Sequence, residues 1–205
     1  MTVIQFGIPR TGSTLVYRVL QEIFGNVEKC HMSQVKPYLN KNINIVVSVR
    51  HPIDSFLSYI RVVDFPYASQ KPDITMSLVK KYLPRRIEEH DQLTTILSRR
   101  NKNYTLVLKY ERFYNDIKYM CDIICDFFNV QPTNIIDIIK TCNLESTVKL
   151  QETMSSFKEH DSRSNIHGNH IKTPEPHSIY EATNPNVIAY LENIFKKQIE
   201  EWDNL

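Results

Sequence analysis

The first 25 residues pass from a β-prone segment through a short turn into an amphipathic helix, and this order strongly constrains the fold. Residues 2–6 read TVIQF, residues 7–12 read GIPRTG, and residues 13–25 read STLVYRVLQEIFG. Apolar residues in the third segment recur with the period of a helix, which we expect to end at Gly25. A strand followed directly by a helix is typical of an α/β domain.

The rest of the chain continues this alternation. Residues 43–49, INIVVSV, form a nearly continuous apolar run, as expected of a central parallel strand buried on both faces. Further strands are predicted at residues 26–31 and 104–110. Helices are predicted at residues 52–60, 74–99 with a break or kink at Pro84, 116–129, 132–143 and 186–203. We therefore predict an α/β fold with a mostly parallel central sheet flanked by helices. Without repeats or Gly/Ser linkers, it is expected to form a single domain over residues 1–205.

The charge is balanced overall but uneven along the chain. With 25 basic and 23 acidic residues, the formal net charge of +2 disfavours a protein that coats nucleic acid. Residues 1–62 nevertheless carry seven basic and three acidic side chains, a net charge of +4. An anionic ligand is therefore expected to bind within this first third.

Several classes of protein are disfavoured by what the sequence lacks. No apolar run approaches the roughly 18 residues that span a bilayer, and no secretory signal precedes the first strand. The four cysteines, Cys30, Cys121, Cys125 and Cys142, match no zinc-finger spacing. We expect a soluble cytoplasmic protein in a reducing compartment, without a structural metal or a membrane span; the sequence does not indicate an oligomeric state.

The turn at residues 7–14, GIPRTGST, has the features of a phosphate-binding loop. Gly7 and Gly12 have the G-x-x-x-x-G spacing, and successive N–H groups at a helix N-terminus attract anions. The residue after Gly12 is Ser13 rather than the lysine of an ATP- or GTP-binding loop, and the cation of this loop is Arg10. Since that lysine contacts the terminal phosphates, its absence disfavours a nucleoside triphosphatase.

A second candidate anion site lies in residues 50–59, RHPIDSFLSY. Arg50 follows the predicted buried strand, at the carboxyl edge of the sheet where ligands bind in open α/β folds. Ser58 comes eight residues later, about two helical turns away, so both side chains can face one crevice. A guanidinium and a hydroxyl would suit a second phosphate, although Arg50 alone could equally form a salt bridge at the helix edge.

Together these two segments resemble the sulfotransferases that use 3′-phosphoadenosine 5′-phosphosulfate (PAPS). That family has a loop of the type PKSGTTWL or PRSGSSFL and a downstream RNPxDxxxSxY segment. This chain has PRTGSTLV at residues 9–16 and RHPIDSFLSY at residues 50–59. EKCHMS at residues 28–33 is similar to the family's KTH strand, and LKYERFYND at residues 108–116 to its YEDLxxD segment. TCNLESTVK at residues 141–149 is a looser match. The resemblance implies the P-loop NTPase-like sulfotransferase fold.

The resemblance also implies which residues bind the donor. PAPS would be the donor, and adenosine 3′,5′-bisphosphate (PAP) the product. Arg50 and Ser58 would bind the 3′-phosphate, and Tyr110 would lie near the adenine. The loop residues that would bind the 5′-phosphosulfate are Arg10, Thr11, Gly12, Ser13 and Thr14.

Three residues are implied in catalysis. His31 would be the general base that deprotonates an acceptor hydroxyl, and Lys29 would contact the transferring sulfonate. Arg10 would stabilise the leaving 5′-phosphate. This scheme requires no metal.

The sequence departs from the family at two places. Leu15 stands where cytosolic members commonly have a Trp near the adenine. The family's C-terminal RKGxxGDW loop is replaced by the polar residues 161–177, where Arg163, His170 or Lys172 could reach a phosphate. Residues 155–178 could equally form a solvated, mobile loop. Their four histidines do not match the H-E-x-x-H pattern, which disfavours a zinc site.

Three functions stay open at this point. The leading hypothesis is transfer of the sulfonate group from PAPS to a hydroxyl of a small molecule or carbohydrate. The alternatives are a P-loop nucleoside or sugar kinase, and a non-catalytic module that binds adenosine 3′,5′-bisphosphate.

Overall fold

A parallel β-sheet organises the chain. The computed structural model describes residues 2–30, 38, 42–65, 72–132, 134–154, 159–161, 166–168 and 175–205. In this part of the chain the strands are β1 (Val3–Phe6), β2 (Val27–Cys30), β3 (Asn44–Val49) and β4 (Thr105–Lys109). All three pairings are parallel, in the order β2-β1-β3-β4. The predicted α/β fold with a parallel sheet is therefore confirmed.

Helices surround this sheet. They are α1 (Ser13–Phe24), α2 (Pro52–Asp64), α3 (Met76–Arg99), α4 (Tyr110–Phe113), α5 (Ile117–Phe128), α6 (Ile135–Cys142), α7 (Leu144–Glu152), α8 (Ser178–Glu181), α9 (Pro185–Ile194) and α10 (Lys196–Asp203).

The buried side chains form three clusters. On one face of the sheet, Val16 and Leu20 of α1 pack with Met120 and Ile124 of α5. On the other face, Ile4 and Phe6 of β1 pack with Leu93 and Ile96 of α3. A third cluster joins α2 and α3 to α8 and α9. This packing covers both faces of the central strands, which explains the nearly continuous apolar sequence of β3.

Three predicted helices differ from the structure. Pro84 lies inside α3, which continues to Arg99 because Val79, Leu83 and Leu93 are all buried on one face. The helix predicted at residues 132–143 begins at Ile135 and is followed by the separate α7. The last helix is divided at Phe195, whose side chain is fully buried in the cluster with α2 and α3.

The sheet places the sequence motifs at one edge. Phe6 lies opposite Cys30 and Val47, so the residues that follow β1, β2 and β3 all emerge at the carboxyl edge. The loop after β1, Arg50 after β3 and Tyr110 after β4 therefore come together there, as expected for ligand binding in open α/β sheets.

Candidate active site

Two glycines shape the loop between β1 and α1. A Cβ on Gly7 would lie 2.5 Å from the Ser48 hydroxyl and 3.0 Å from the Ser48 carbonyl oxygen, so only glycine fits against β3. Gly12 has a φ of +77°, and a Cβ there would lie 2.6 Å from the Tyr110 ring. The loop therefore requires glycine at both positions of the G-x-x-x-x-G spacing, for close approach at the first and for backbone conformation at the second.

The side chain of Thr11 holds the loop in place from inside. It is fully buried; its hydroxyl donates a hydrogen bond to the Ile8 carbonyl oxygen at 2.9 Å and lies 3.0 Å from the Ser48 hydroxyl. The Thr11 side chain is thus committed to the loop's structure, which leaves its backbone N–H as the group to face a ligand.

Arg10 joins the two candidate anion-binding segments. Its φ of 71° lies in the left-handed region, which costs a non-glycine residue about 1–2 kcal/mol. In this conformation its Nε donates a hydrogen bond to the Ser58 hydroxyl at 3.2 Å. The loop and the 50–59 segment, which are 48 residues apart in sequence, therefore form one site. Strained backbone of this kind concentrates at functional sites.

Arg50 lies beside this contact, at the end of β3. Its residue is only 5% exposed, and its guanidinium stacks over the Tyr110 ring at 4.4 Å from the centroid. The Arg50 Nε has no hydrogen-bond partner among the described residues. The ring orients the guanidinium without neutralising its charge, so Arg50 is positioned to bind an anion.

The structure adds two arginines that the sequence analysis missed. Arg61 is buried on α2, three residues after Ser58 and so on the same helical face. This spacing is a signal that could have identified it. Arg86 of α3 is also buried, pairs with Glu89 at 2.9 Å and donates a hydrogen bond to the Pro9 carbonyl oxygen at 2.8 Å. No local pattern connects Arg86 to a loop 77 residues away.

These four residues, Arg10, Arg50, Arg61 and Arg86, are called the arginine cluster below. Burial, followed by the charges of Arg61, Arg50 and Arg86, lowers the pKa of Arg10. Burial and Arg50 also lower the pKa of Arg61. Like charges concentrated in a buried site favour a ligand with several negative charges, because it offsets their mutual repulsion.

Lys29 brings a further cation to the loop from β2. Its Nζ donates a hydrogen bond to the Thr14 hydroxyl at 2.8 Å, at the start of α1. Burial lowers the pKa of the Lys29 ammonium to about 8. The predicted Lys29 is thereby placed next to the loop. The predicted base His31, two residues further on, lies outside the described residues.

The comparisons with known proteins agree with this arrangement. A family model described as a sulfotransferase domain matches residues 29–203. The chain belongs to the sulfotransferase family. The match includes Arg50, Ser58 and Tyr110 but begins after the loop at residues 7–14. Among curated protein sequences, none gives a significant match.

Solved sulfotransferase-like structures match nearly the whole chain. Mouse sulfotransferase SULT7A1, crystallised with PAP, has 12% identity and a TM-score of 0.71, over 98% of this chain and 85% of its own. Retinol dehydratase, crystallised with androsterone and the inactive cofactor PAP, has 11% identity and a TM-score of 0.71, over 97% of this chain and 80% of its own. At these identities the comparison shows a shared fold, which includes the loop.

Within the polar residues 155–178, the structure describes residues 159–161, 166–168 and 175–178. His160 and His167 form an antiparallel bridge with stacked rings 5.3 Å apart, and Gly168 follows in a turn. Arg163, His170 and Lys172, the candidates for a phosphate contact, lie outside the described residues. Within the described part of the chain, no helix is long and apolar enough to cross a membrane.

Proposed function

We propose that this sulfotransferase uses PAPS as its donor and transfers the sulfonate to a hydroxyl of a small molecule or carbohydrate. The observation that carries the proposal is the hydrogen bond from Arg10 to Ser58, which unites the loop with the 50–59 segment. PAPS carries charged groups at both its 5′ and 3′ ends. A site built from two cationic segments therefore suits it better than it suits a ligand with a single phosphate.

Each segment is assigned one end of the donor. Arg10 and the backbone N–H groups of residues 11–14 would hold the 5′-phosphosulfate, together with the N-terminus of α1. Arg50 and Ser58 would hold the 3′-phosphate, with Tyr110 near the adenine. Both mouse SULT7A1 and retinol dehydratase were crystallised with PAP, which supports this assignment.

The chemistry proposed is a direct transfer. The acceptor oxygen attacks sulfur and forms the new S–O bond while the bond from sulfur to the 5′-phosphate oxygen breaks. His31 takes the hydroxyl proton, and PAP leaves with the electron pair of the broken bond. Arg10 stabilises the charge that accumulates on the leaving phosphate, and Lys29, held at Thr14, contacts the sulfonate oxygens.

Calorimetric titration with PAP tests the donor site directly. We expect micromolar binding of PAP and much weaker binding of ATP with Mg²⁺. Tight ATP binding without PAP binding would instead favour the kinase. No PAP binding by a folded protein would overturn the proposal.

A His31→Ala variant separates the enzyme from a binding module. With PAPS and a panel of phenols, alcohols and sugars, the wild-type protein is expected to form sulfated product. The variant should lose about 10²- to 10⁴-fold in turnover while it keeps its PAP affinity, because only the proton acceptor has been removed. A variant that keeps full turnover would exclude His31 as the base; binding of PAP without turnover on any acceptor would favour the module.

A further inference from the structure

Three potential metal ligands meet at the start of α2. His51, Asp54 and His177 each offer one ligand atom, and these atoms lie within 4.8 Å of one another. His51 and Asp54 come from the 50–59 segment, whereas His177 immediately precedes α8, 123 residues after Asp54. These three residues are called the histidine–carboxylate cluster.

Asp54 is the buried centre of this cluster. The residue is 1% exposed, and its Oδ2 accepts a hydrogen bond from the His177 backbone N–H at 2.9 Å and lies 3.1 Å from the His177 Nδ1. Its other oxygen, Oδ1, is buried and has no hydrogen-bond partner among the described residues. The Nδ1 of His51 is also buried, and it too lacks a hydrogen-bond partner in the described part of the chain. A buried carboxylate oxygen and a buried imidazole nitrogen that lack hydrogen-bond partners are potential ligand atoms, and one cation could coordinate both.

The surroundings hold the ligands in orientation. The His51 backbone N–H donates to the Glu111 carboxylate at 2.8 Å, and the His51 ring packs edge-on against Trp202 at 5.3 Å between centroids. His177 has a φ of 63°, a left-handed conformation in which its backbone and side chain both face Asp54. These contacts restrict the positions of the two imidazole rings.

We propose that His51, Asp54 and His177 bind a divalent transition-metal cation of the zinc class. Two imidazole nitrogens and one carboxylate oxygen suit zinc and its first-row neighbours, whereas Mg²⁺ and Ca²⁺ prefer oxygen ligands alone. The His177 side chain is 45% exposed, so the cation has a path from solvent and a coordination position for water.

The cation would fasten the segment before α8 to the start of α2. Asp54 already forms this connection through hydrogen bonds, and a metal would add coordinate bonds between the same elements. Since no step of sulfonate transfer passes through the cluster, this proposal stands or falls independently of the proposed function.

Metal binding is measured on the full chain after treatment with a chelator. Zn²⁺ uptake is quantified by elemental analysis, Co²⁺ uptake by its visible d–d bands, and Mg²⁺ serves as the negative control. We expect about one Zn²⁺ per chain at micromolar affinity, and a melting temperature higher by about 5–10 °C at zinc 100-fold above its Kd. The His177→Ala and His51→Asn variants should each fail to bind this one Zn²⁺ per chain. Asn is chosen for residue 51 because the RNPxD motif has Asn at that position.

A matched control addresses the other histidines. The His160→Ala/His167→Ala double variant removes the stacked pair and should keep the zinc equivalent. Uptake lost in the double variant but retained in His177→Ala would overturn the proposal, as would no uptake by the wild-type protein. Near-UV circular dichroism tests whether each variant is folded. His177→Ala is expected to disturb the core least, because the His177 side chain is 45% exposed.

Discussion

Helix α2 contributes residues to two clusters of opposite character. Ser58 and Arg61, in the middle and last part of the helix, belong to the site that contains the arginine cluster, where burial and like charges lower the pKa of Arg10. Asp54, in the first turn, is a buried carboxylate that accepts a hydrogen bond from the backbone of His177. The arginine cluster concentrates positive charge, whereas in the histidine–carboxylate cluster the Asp54 carboxylate accepts a hydrogen bond from His177.

The difference indicates what each cluster contributes. Removing a charge from the arginine cluster should weaken ligand binding with little loss of stability, because mutual repulsion is removed with it. Removing the carboxylate from the histidine–carboxylate cluster should lower stability and leave donor affinity nearly unchanged, because the His177 backbone N–H loses its acceptor. Four measurements test this contrast.

The largest effect is expected for Arg50→Ala. Loss of a buried, charge-assisted phosphate contact should lower the affinity for PAP about 100-fold, by calorimetry. The matched control is Arg99→Ala, since Arg99 is exposed at the end of α3, before β4 begins, and should leave the affinity unchanged. Equal affinities for Arg50→Ala and wild type would remove Arg50 from the donor site.

Asp54→Ala should show the opposite behaviour. With metal chelated, we expect a loss of about 2 kcal/mol in the free energy of unfolding, because the His177 N–H loses its acceptor. The melting temperature should fall by about 5 °C, while PAP affinity changes less than about threefold. Asp122→Ala, which breaks an exposed pair with Lys118, is the control and should cost less than about 0.5 kcal/mol. A stability loss no larger than in this control would contradict the assignment.

The affinity for PAP should fall as pH rises. The pKa of the Lys29 ammonium is about 8 in the unliganded site, whereas arginine guanidinium groups keep their charge in proteins and do not titrate here. A bound anion favours the protonated ammonium and raises its pKa, so binding takes up a proton and weakens as pH rises through the unliganded value. Between about pH 7 and 9 we expect about a tenfold loss of affinity.

A Lys29→Met variant assigns this pH dependence. Its affinity should be lower at about pH 7 and nearly constant up to about pH 8.5, because the titrating ammonium is gone and the arginines stay charged. A wild-type affinity that is constant over the same range would show that Lys29 does not respond to the ligand.

The smallest effect is expected for Arg61→Met. Loss of one charge next to Arg50 and Arg10 should raise the melting temperature by about 2 °C while the side chain's length is kept. PAP affinity should fall by less than in Arg50→Ala, since Arg61 lies further along α2. A lower melting temperature would mean that Arg61 stabilises the fold through contacts rather than straining it.

Much of the fold could be predicted, because local sequence patterns indicate where strands lie and where helices begin. Apolar, β-prone runs identified β1, β3 and β4, a short strand was predicted where β2 lies, and turn and cap residues identified the starts of α1 and α2. The ends of helices were less predictable. Pro84 lies within an unbroken α3, and the last helix divides at Phe195, because burial against other helices outweighs the local signal.

The candidate site could be predicted in part for the same reason. Arg10, Arg50 and Ser58 belong to two short motifs that the family resemblance assigned to one donor, and the structure brings them together because β1 and β3 are neighbours in the sheet. Arg61 was missed although its spacing from Ser58 could have identified it, whereas Arg86 had no local signal because its contact with Pro9 spans 77 residues. The roles of His31 and Lys29 remain predictions.

The sequence by itself determined the local units of this protein. The strand, glycine-containing loop and helix at residues 2–25 could be predicted from the local sequence, and so could the position of Arg50 directly after a buried strand. Each of these features depends only on residues that are neighbours in the chain. Only the tertiary structure decided which distant groups act on them. Arg86 reaches Pro9 and His177 reaches Asp54 because packed helices bring together residues 77 and 123 positions apart. Burial then lowers the pKa values of Arg10 and Lys29, since charge is less well solvated inside a protein than in water.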